Sequence, residues 1–145
     1  MKKPLLFFGS DHAGIHLKIK LIGLLEEDFQ CIDVGTRDAA SCDYPIYAFE
    51  LGRQVLKHDA QGILICGSGI GMSMTANRIK GIRAALCLNE YMARMSRMHN
   101  KANVLCLGER IVGPGLAESI ARVFLGTGFE GGRHERRIHL MDEQE

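Results

Sequence analysis

The chain has 145 residues, of which 46% are hydrophobic and 24% are charged, as in an ordinary globular protein large enough for one proper core. Its 18 Lys and Arg and 17 Asp and Glu residues leave a net charge of +1, so no bulk attraction to nucleic acid or to a membrane surface is indicated. No apolar stretch approaches the ~20 residues of a membrane span, and the short apolar run near the start does not have the form of a signal peptide. Five cysteines without a Cys-x-x-Cys pair favour reduced thiols and a cytoplasmic protein.

Strand-like and helix-like segments alternate along the whole chain, which we interpret as a single domain over residues 1–145. Short apolar runs predict strands at 5–9, 30–34, 62–65, 82–88 and 103–107. Helices are predicted at 13–28, 45–58, 70–79, 90–98 and 115–125, with a last one beginning near residue 133. In the first of these, Leu17, Leu21, Leu24 and Leu25 have the spacing of one buried helical face. The alternation predicts an α/β fold with a five-stranded parallel sheet covered by helices on both faces.

The first two segments that follow predicted strands carry polar side chains. Ser10-Asp11-His12 follows the first strand, at the sheet edge where ligands bind in such folds. Asp11 is equally well explained as a cap of the next helix, and that alternative stays open. His12 has a ring that can donate a hydrogen bond to a phosphate or a hydroxyl. Asp43-Tyr44-Pro45 begins the second crossover, where Tyr44 either presents a phenol to this edge or only marks the start of a helix.

The segment Cys66-Gly67-Ser68-Gly69-Ile70-Gly71, directly behind the apolar run Gly62-Ile-Leu-Ile65, carries the strongest functional signal. Its glycines allow backbone N–H groups to point into the turn, and the next helix directs its positive end to the same place. A cysteine in that position has its thiolate stabilised, although a cysteine at a strand end is more often a small core residue. We assign Cys31, Cys87 and Cys106 to the core, and Cys42 lies in a polar stretch with no evident partner.

Several phosphate-binding motifs are excluded by spacing. Met72 and Ser73 stand where a Walker A loop needs Gly and Lys, and Met72 stands where a Cys-x5-Arg phosphatase needs Arg. The glycines at 67, 69 and 71 are one residue short of the dinucleotide fingerprint. Because Glu90 lies where that fingerprint has a ribose-binding acid, nucleotide binding remains a minor alternative.

The basic cluster Arg133-His134-Glu135-Arg136-Arg137 follows Gly131-Gly132 near the C-terminus. Charged segments of this kind are usually solvated faces. Arg133 and Arg137 stand four residues apart, however, so that they share a helical face and repel each other unless an anion lies between them. A pair of guanidinium groups suits a phosphate.

The chain resembles ribose-5-phosphate isomerase B and its relatives, the galactose-6-phosphate isomerase subunits, over nearly its whole length. The resemblance is carried in order by Ser10-Asp-His-Ala-Gly14, Asp43-Tyr-Pro45, Gly62-Ile-Leu-Ile-Cys-Gly-Ser-Gly-Ile-Gly71, Ala76-Asn77, Gly81-Ile-Arg-Ala84, Ser96-Arg-Met-His-Asn100, Asn103-Val-Leu105, Gly108-Glu-Arg110 and Gly131-Gly-Arg-His-Glu-Arg-Arg137. It implies a sugar-phosphate isomerase domain with a Rossmann-like three-layer fold, acting as a homodimer or a dimer of dimers without a cofactor.

The resemblance also implies roles for particular residues. Cys66 matches the base that moves a proton between C1 and C2, and His99 matches the acid that opens the furanose ring. The positions matching ligand-binding residues are Asp11, His12, Gly67, Ser68, Gly69, Ile70, Gly71, Asn100, Arg110, Arg133 and Arg137. Position 68 is serine where several relatives have threonine, which keeps the hydroxyl. No metal is expected, because no His/carboxylate ligand set is evident beyond Asp11 and His12.

The predicted topology separates two of these residues from the cysteine. His99 and Asn100 follow a helix predicted to end near Met98 and precede the fifth strand, so they belong to the opposite edge of the sheet, roughly 16 Å from Cys66. We therefore expect His99 to serve the Cys66 site of a neighbouring subunit. The expected reaction interconverts ribose 5-phosphate and ribulose 5-phosphate. The alternatives are an isomerase of allose or galactose 6-phosphate, and a non-catalytic binder of a sugar phosphate or nucleotide.

Overall fold

The computed structural model describes residues 2–144, in which five strands alternate with six helices. The strands are β1 (Leu5–Ser10), β2 (Gln30–Asp33), β3 (Gln61–Cys66), β4 (Ala84–Leu86) and β5 (Val104–Gly108). The helices are α1 (Ile15–Leu25), α2 (Tyr44–His58), α3 (Ile70–Ala76), α4 (Glu90–Asn100), α5 (Pro114–Gly126) and α6 (Arg133–Asp142). Within residues 2–144, no helix is both long enough and apolar enough to cross a lipid bilayer.

The five strands form one parallel sheet in the order β2-β1-β3-β5-β4. The last residue of β1, Ser10, lies opposite Ile65, and the last residue of β3, Cys66, lies opposite Gly108 at the end of β5. Three neighbouring strands therefore end at the same height, and the loops that follow them meet at one edge, which we call the carboxyl edge.

Side chains of the central strands alternate between two cores, as the period of two along a strand requires. Ile63 and Ile65 of β3 face α1, α4 and α5, whereas Leu64 and Cys66 face α2 and α3. Each helix contributes one apolar stripe, such as Leu17, Leu21 and Leu25 of α1. The predicted three-layer α/β fold with helices on both faces is thus confirmed.

Several predicted elements have different ends in the structure. Helix α1 ends at Leu25. The Leu25 carbonyl accepts hydrogen bonds from the N–H groups of both Asp28 and Phe29, and the chain tightens into a turn there. Helix α3 ends at Ala76, and the chain continues from there in successive turns. Strand β4 has three residues instead of the predicted seven, since it pairs only with β5 at the end of the sheet. Helix α4 extends two residues past Met98, so that His99 and Asn100 belong to its last turn.

The core assignment of the cysteines is right for Cys87 and Cys106, which are buried, and only partly right for Cys31, which is half-buried. Burial raises the pKa of the Cys87 thiol to about 11. Partial burial, with the nearby Glu26 carboxylate, raises that of Cys31 to about 11. The pKa of the fully buried Cys106 is also raised, chiefly by burial. These three thiols therefore stay protonated at neutral pH.

Substitution of Gly14 tests how closely the loop after β1 must approach β3. A Cβ atom at Gly14 would lie 2.4 Å from the backbone oxygen of Ile65, which cannot move without disturbing the strand. We expect Gly14→Ala to lower the free energy of unfolding by about 1–3 kcal/mol, the usual cost of overpacking. Gly23 is the matched control, because no atom of the described part of the chain lies within 4 Å of its added Cβ and it lies within α1. Gly23→Ala should raise stability by about 0.5–1 kcal/mol. Urea unfolding measures both, and equal shifts of the same sign would contradict the prediction.

Candidate active site

The loop after β3 bends back so that a backbone N–H faces the cysteine. Cys66 is only 6% exposed, and its Sγ accepts a hydrogen bond of 3.1 Å from the N–H of Gly69. Gly69 adopts a φ of +81°, and a Cβ there would lie 2.6 Å from Leu86 Cδ1 and 2.9 Å from the carbonyl carbon of Leu107. Glycine is required on both counts. An N–H that donates to sulfur interacts more strongly with a thiolate than with a thiol, so the turn suits a cysteine that carries negative charge.

The loop after β5 lies directly on the loop after β3. The backbone N–H of Arg110 donates to the carbonyl of Gly67 at 3.0 Å, and a Cβ at Gly67 would lie 3.0 Å from Arg110 Nη1. The guanidinium group of this exposed side chain therefore covers the beginning of the glycine loop. Ser68 Oγ accepts a hydrogen bond of 3.2 Å from the N–H of Ile70, which helps to form the first turn of α3. The arrangement places a cation beside the cysteine loop, where it can attract an anionic ligand.

Tyr44 lies against the same loop from the other side. A Cβ at Gly71 would lie 2.6 Å from two ring carbons of Tyr44 and 2.9 Å from its hydroxyl oxygen. The phenol is positioned because Tyr44 is the first residue of α2, which packs beside α3. The glycine at position 71 leaves room for the ring, and Tyr44 does reach the carboxyl edge.

Asp11 and His12 occupy the loop after β1. Asp11 is 6% exposed, and its Oδ1 accepts hydrogen bonds from the N–H groups of Ala13 at 3.0 Å and Gly14 at 3.1 Å. The Asp11 carboxylate therefore stabilises the turn that precedes α1, but it does not cap the helix, whose N-cap residue is Gly14 and which has no side-chain cap hydrogen bond among the described residues. His12 Nδ1 accepts a hydrogen bond of 3.2 Å from the N–H of Cys42, so a neutral His12 carries its proton on Nε2.

Two side chains near the carboxyl edge were missed by the sequence analysis. Cys42 was given no partner, yet its Sγ lies 3.9 Å from His12 Nδ1. Glu109 Oε1 accepts a hydrogen bond of 2.6 Å from the N–H of Leu17, in the first turn of α1, and so ties the loop of Arg110 to a helix 92 residues earlier. An acidic residue after a strand has no local pattern that predicts such a contact. Glu90, by contrast, accepts a hydrogen bond from Ser119 Oγ of α5, which adds no support to nucleotide binding.

His99 and Asn100 lie at the edge where the strands begin. Val104 at the start of β5 pairs with Gly62, whereas Cys66 pairs with Gly108 at the end of that strand. The four residues from Gly62 to Cys66 correspond to a rise of ~13 Å. Because α4 ends only three residues before β5, the structure does not bring His99 together with Cys66 of the same chain.

Helix α6 packs beside α4, and His99 lies against His134 of α6 and near Glu130 of the segment before that helix. The imidazole rings of His99 and His134 stack with their centroids 4.2 Å apart. Glu130 reaches both rings, with carboxylate oxygens 4.0 Å from Nε2 of His99 and 3.8 Å from Nε2 of His134. Burial, with smaller contributions from His99 and Arg133, lowers the pKa of His134. This His/carboxylate set has no signature in the sequence, because His99 is more than 30 residues from the other two.

Arg133 and Arg137 are exposed and lie one turn apart on α6, as predicted. Gly131 and Gly132, with φ values of +76° and +61°, form the tight turn that precedes the helix. His134 and Ile138 are buried and hold α6 in place, which leaves both guanidinium groups free of the core.

The structure thus divides the predicted residues into two groups. We call the first the carboxyl-edge group; its members surround one loop and are Asp11, His12, Tyr44, Cys66, Gly67, Ser68, Gly69, Ile70, Gly71 and Arg110. The second, the α4–α6 group, lies around the end of α4 and comprises His99, Asn100, Arg133 and Arg137. Each group holds part of the predicted chemistry, and neither holds both the thiol and His99.

Comparison with known proteins identifies the family of the chain. Residues 6–141 match the sequence profile of the family described as Ribose/Galactose Isomerase. The chain belongs to this family. Ribose-5-phosphate isomerase B of Escherichia coli is 44% identical over 143 residues, covering 97% of this chain and 95% of that protein.

Solved structures agree over the same length. Ribose-5-phosphate isomerase B of Clostridium thermocellum has a TM-score of 0.94 and 45% identity, covering 99% of this chain and 96% of that one. The type B ribose 5-phosphate isomerase of Trypanosoma brucei has a TM-score of 0.94 and 41% identity, with full coverage of both chains. The predicted resemblance is confirmed, and the chain is a sugar-phosphate isomerase.

Proposed function

We propose that this enzyme interconverts ribose 5-phosphate and ribulose 5-phosphate through an enediolate, with residues 1–145 acting as one isomerase domain. The observation that supports it most directly is the near-complete coverage, at 44% identity, of a relative named ribose-5-phosphate isomerase B. This reaction needs a base, an acid, donors for a developing oxyanion, and cations for a phosphate. The two residue groups are proposed to supply all four.

Cys66 is the proposed base. Its thiolate takes the proton from C2 of the open-chain aldose and returns it to C1, while the hydroxyl proton moves from O2 to O1 in the enediolate, which converts the aldose to the ketose without any change in oxidation state overall. The 3.1 Å hydrogen bond from Gly69 supports this role, because the N–H stabilises negative charge on the sulfur. N–H groups of the glycine loop are the proposed donors to the enediolate oxygen, and losing one such donor typically costs ~3 kcal/mol in the transition state.

His99 is the proposed acid that opens the furanose ring, by donating a proton to the ring oxygen as the C1–O bond breaks. Arg133 and Arg137 are proposed to hold the phosphate, since exposed guanidinium groups one turn apart suit its charge and geometry. Arg110 and His12 are proposed to bind the sugar at the carboxyl edge. Binding of the distant phosphate then positions the reacting carbons at Cys66.

The complete site is proposed to form between two subunits. His99 lies at the beginning of β5 and Cys66 at the end of β3, about the length of a strand away. A two-fold axis brings the α4–α6 group of one subunit to the carboxyl-edge group of the other, and does so twice in a dimer. We propose a homodimer, or a dimer of such dimers, with two shared sites.

The substrate and the base are tested together. Purified enzyme assayed with ribose 5-phosphate, allose 6-phosphate and galactose 6-phosphate should have its highest kcat/KM for ribose 5-phosphate.

Cys66→Ala should abolish turnover and leave substrate affinity, measured by calorimetry, largely intact, because the thiolate acts on the proton and not on the phosphate. Cys66→Ser should be nearly inactive, since a hydroxyl is a far weaker acid. Cys31→Ala, which removes a half-buried thiol of β2, is the control that should retain activity. Turnover by Cys66→Ala at the normal rate would exclude the thiol from the mechanism.

The phosphate role of Arg137 is separable from a role in folding. Arg137→Ala should weaken affinity for substrate and inorganic phosphate about 10- to 100-fold, because a hydrogen bond to a charged group contributes roughly 1.5–3 kcal/mol. Arg136→Ala removes the same charge from the neighbouring exposed position of α6 and should have a much smaller effect. Equal weakening by the two variants, or equal weakening for a sugar lacking the phosphate, would mean that Arg137 does not bind the phosphate.

Mixing two inactive variants tests the shared site. A heterodimer of Cys66→Ala and His99→Ala subunits contains one site with both residues intact and one with neither. Subunit exchange, followed by mass spectrometry of the intact assembly, should therefore restore activity to about one quarter of wild type in an equal, random mixture, since half of the dimers then carry one working site of two. If heterodimers form and no activity returns, the two residues act within one chain.

A further inference from the structure

Three side chains with metal-binding chemistry meet on one face of the protein. His99 comes from the last turn of α4, His134 from α6, and Glu130 from the segment that precedes α6. One ligand atom from each lies within 4.8 Å of the other two. Within residues 2–144, these three form the group of His, Cys, Asp or Glu side chains whose ligand atoms lie this close together.

The donor set and its spacing suit a divalent transition-metal ion. Two imidazole nitrogens and one carboxylate are a common protein ligand set for zinc, with bonds of about 2.0–2.2 Å. In tetrahedral geometry such bonds place ligand atoms about 3.4 Å apart. The Glu130 oxygens lie 4.0 Å and 3.8 Å from Nε2 of His99 and of His134, so the three side chains must draw together and reorient to bind one ion.

A buried and unsatisfied nitrogen points to a ligand at this place. His134 is only 4% exposed, and its Nε2 has no hydrogen-bond partner among residues 2–144. Burying a polar atom without a partner is costly, and a bound cation would satisfy it. Glu130 is 44% exposed on its side chain, which leaves a path from solvent and room for water or another ligand on the remaining coordination positions.

The backbone holds the three residues in place. The N–H of Glu130 donates to the carbonyl of Met98 at 3.0 Å, and so joins the segment before α6 to the residue next to His99. The N–H of His134 donates to the carbonyl of Gly131 at 3.2 Å. The two imidazole rings stack 13° from parallel, so the partly exposed His99 ring must rotate out of the stack before both Nε2 lone pairs can point at one ion.

We propose that His99, Glu130 and His134 of one subunit bind a divalent transition-metal ion such as Zn²⁺, and that the bound ion inhibits the isomerase. The metal occupies Nε2 of His99, which can then no longer give a proton to the sugar ring. The binding site itself depends only on the three residues, whereas its inhibitory effect rests on the proposed function of His99. Inhibition needs no partner subunit to complete the ligand set.

Cobalt binding tests the site without reference to activity. Enzyme stripped with a chelator and titrated with Co²⁺ should develop the visible d–d bands of a nitrogen- and oxygen-ligated ion, without the intense ultraviolet band of a Co–thiolate bond. His134→Asn and Glu130→Gln should each weaken Co²⁺ affinity at least tenfold. His139→Asn is the matched control, because Glu135 and His139 repeat the four-residue spacing on α6, 3.3 Å apart, without a third ligand. The exposed Glu130 offers a variant that leaves the buried contacts intact. Unchanged affinity in Glu130→Gln, or a thiolate band, would overturn the site.

Inhibition is measured separately, with each variant compared to its own rate in the presence of chelator. Zn²⁺ should inhibit the wild type and His139→Asn, with full recovery on adding chelator, and should inhibit Glu130→Gln at least tenfold less strongly. Equal inhibition of Glu130→Gln would overturn the proposed effect on His99. Cobalt binding at the cluster in a protein that isomerises none of the sugar phosphates would instead overturn the proposed function and leave the metal site standing.

Discussion

The register of the three central strands decides where the loops that carry the proposed chemistry meet. Ser10 opposite Ile65, and Cys66 opposite Gly108, bring three loops to one height, where the N–H of Asp11 donates to Ile65 and that of Glu109 donates to Cys66. A slip of one residue in β3 would turn the thiol from the α2 and α3 side of the sheet to the opposite face. The contacts between the glycine loop and the loop after β5 depend on the same register, because both loops begin directly at the last ladder position.

Regular patterns in the sequence predict the fold and the centre of the site, whereas contacts between distant segments stay hidden. The leucines of α1 repeat with the helical period, and the glycines behind β3 mark a turn that few other residues can form, so both features were found. The contacts of Glu109 with Leu17 and of Cys42 with His12 join segments 92 and 30 residues apart through single hydrogen bonds. No local periodicity encodes them. The end of α4 was misplaced by two residues for a related reason, since Lys101 ends the helix in a left-handed conformation, φ +48°, that is uncommon outside glycine and asparagine.

The separation of the two residue groups follows from the path that the chain takes between parallel strands. In a parallel sheet each crossover helix runs back from the end of one strand to the beginning of another, so its last turn lies far from the strand ends. His99 is at the last turn of such a helix, and Cys66 is at a strand end. A single chain of this fold cannot bring residues from these two places together at one small sugar. The proposed sharing of the site between subunits is the geometric answer to that limit, and it makes the association surface as important to catalysis as the loop itself.

The raised pKa values of three of the five thiols have a consequence for oxidative damage. Raised pKa values keep Cys31, Cys87 and Cys106 protonated, and a protonated thiol reacts slowly with peroxides and electrophiles. The other two thiols lie at the carboxyl edge, where Cys42 lies beside His12 and Cys66 accepts a hydrogen bond from the glycine loop. With Cys66 as the proposed base, an oxidant that reaches this edge would stop turnover while the three thiols with raised pKa stay reduced. Loss of activity would then precede any loss of folded structure, and the modified protein would persist as an intact but silent subunit.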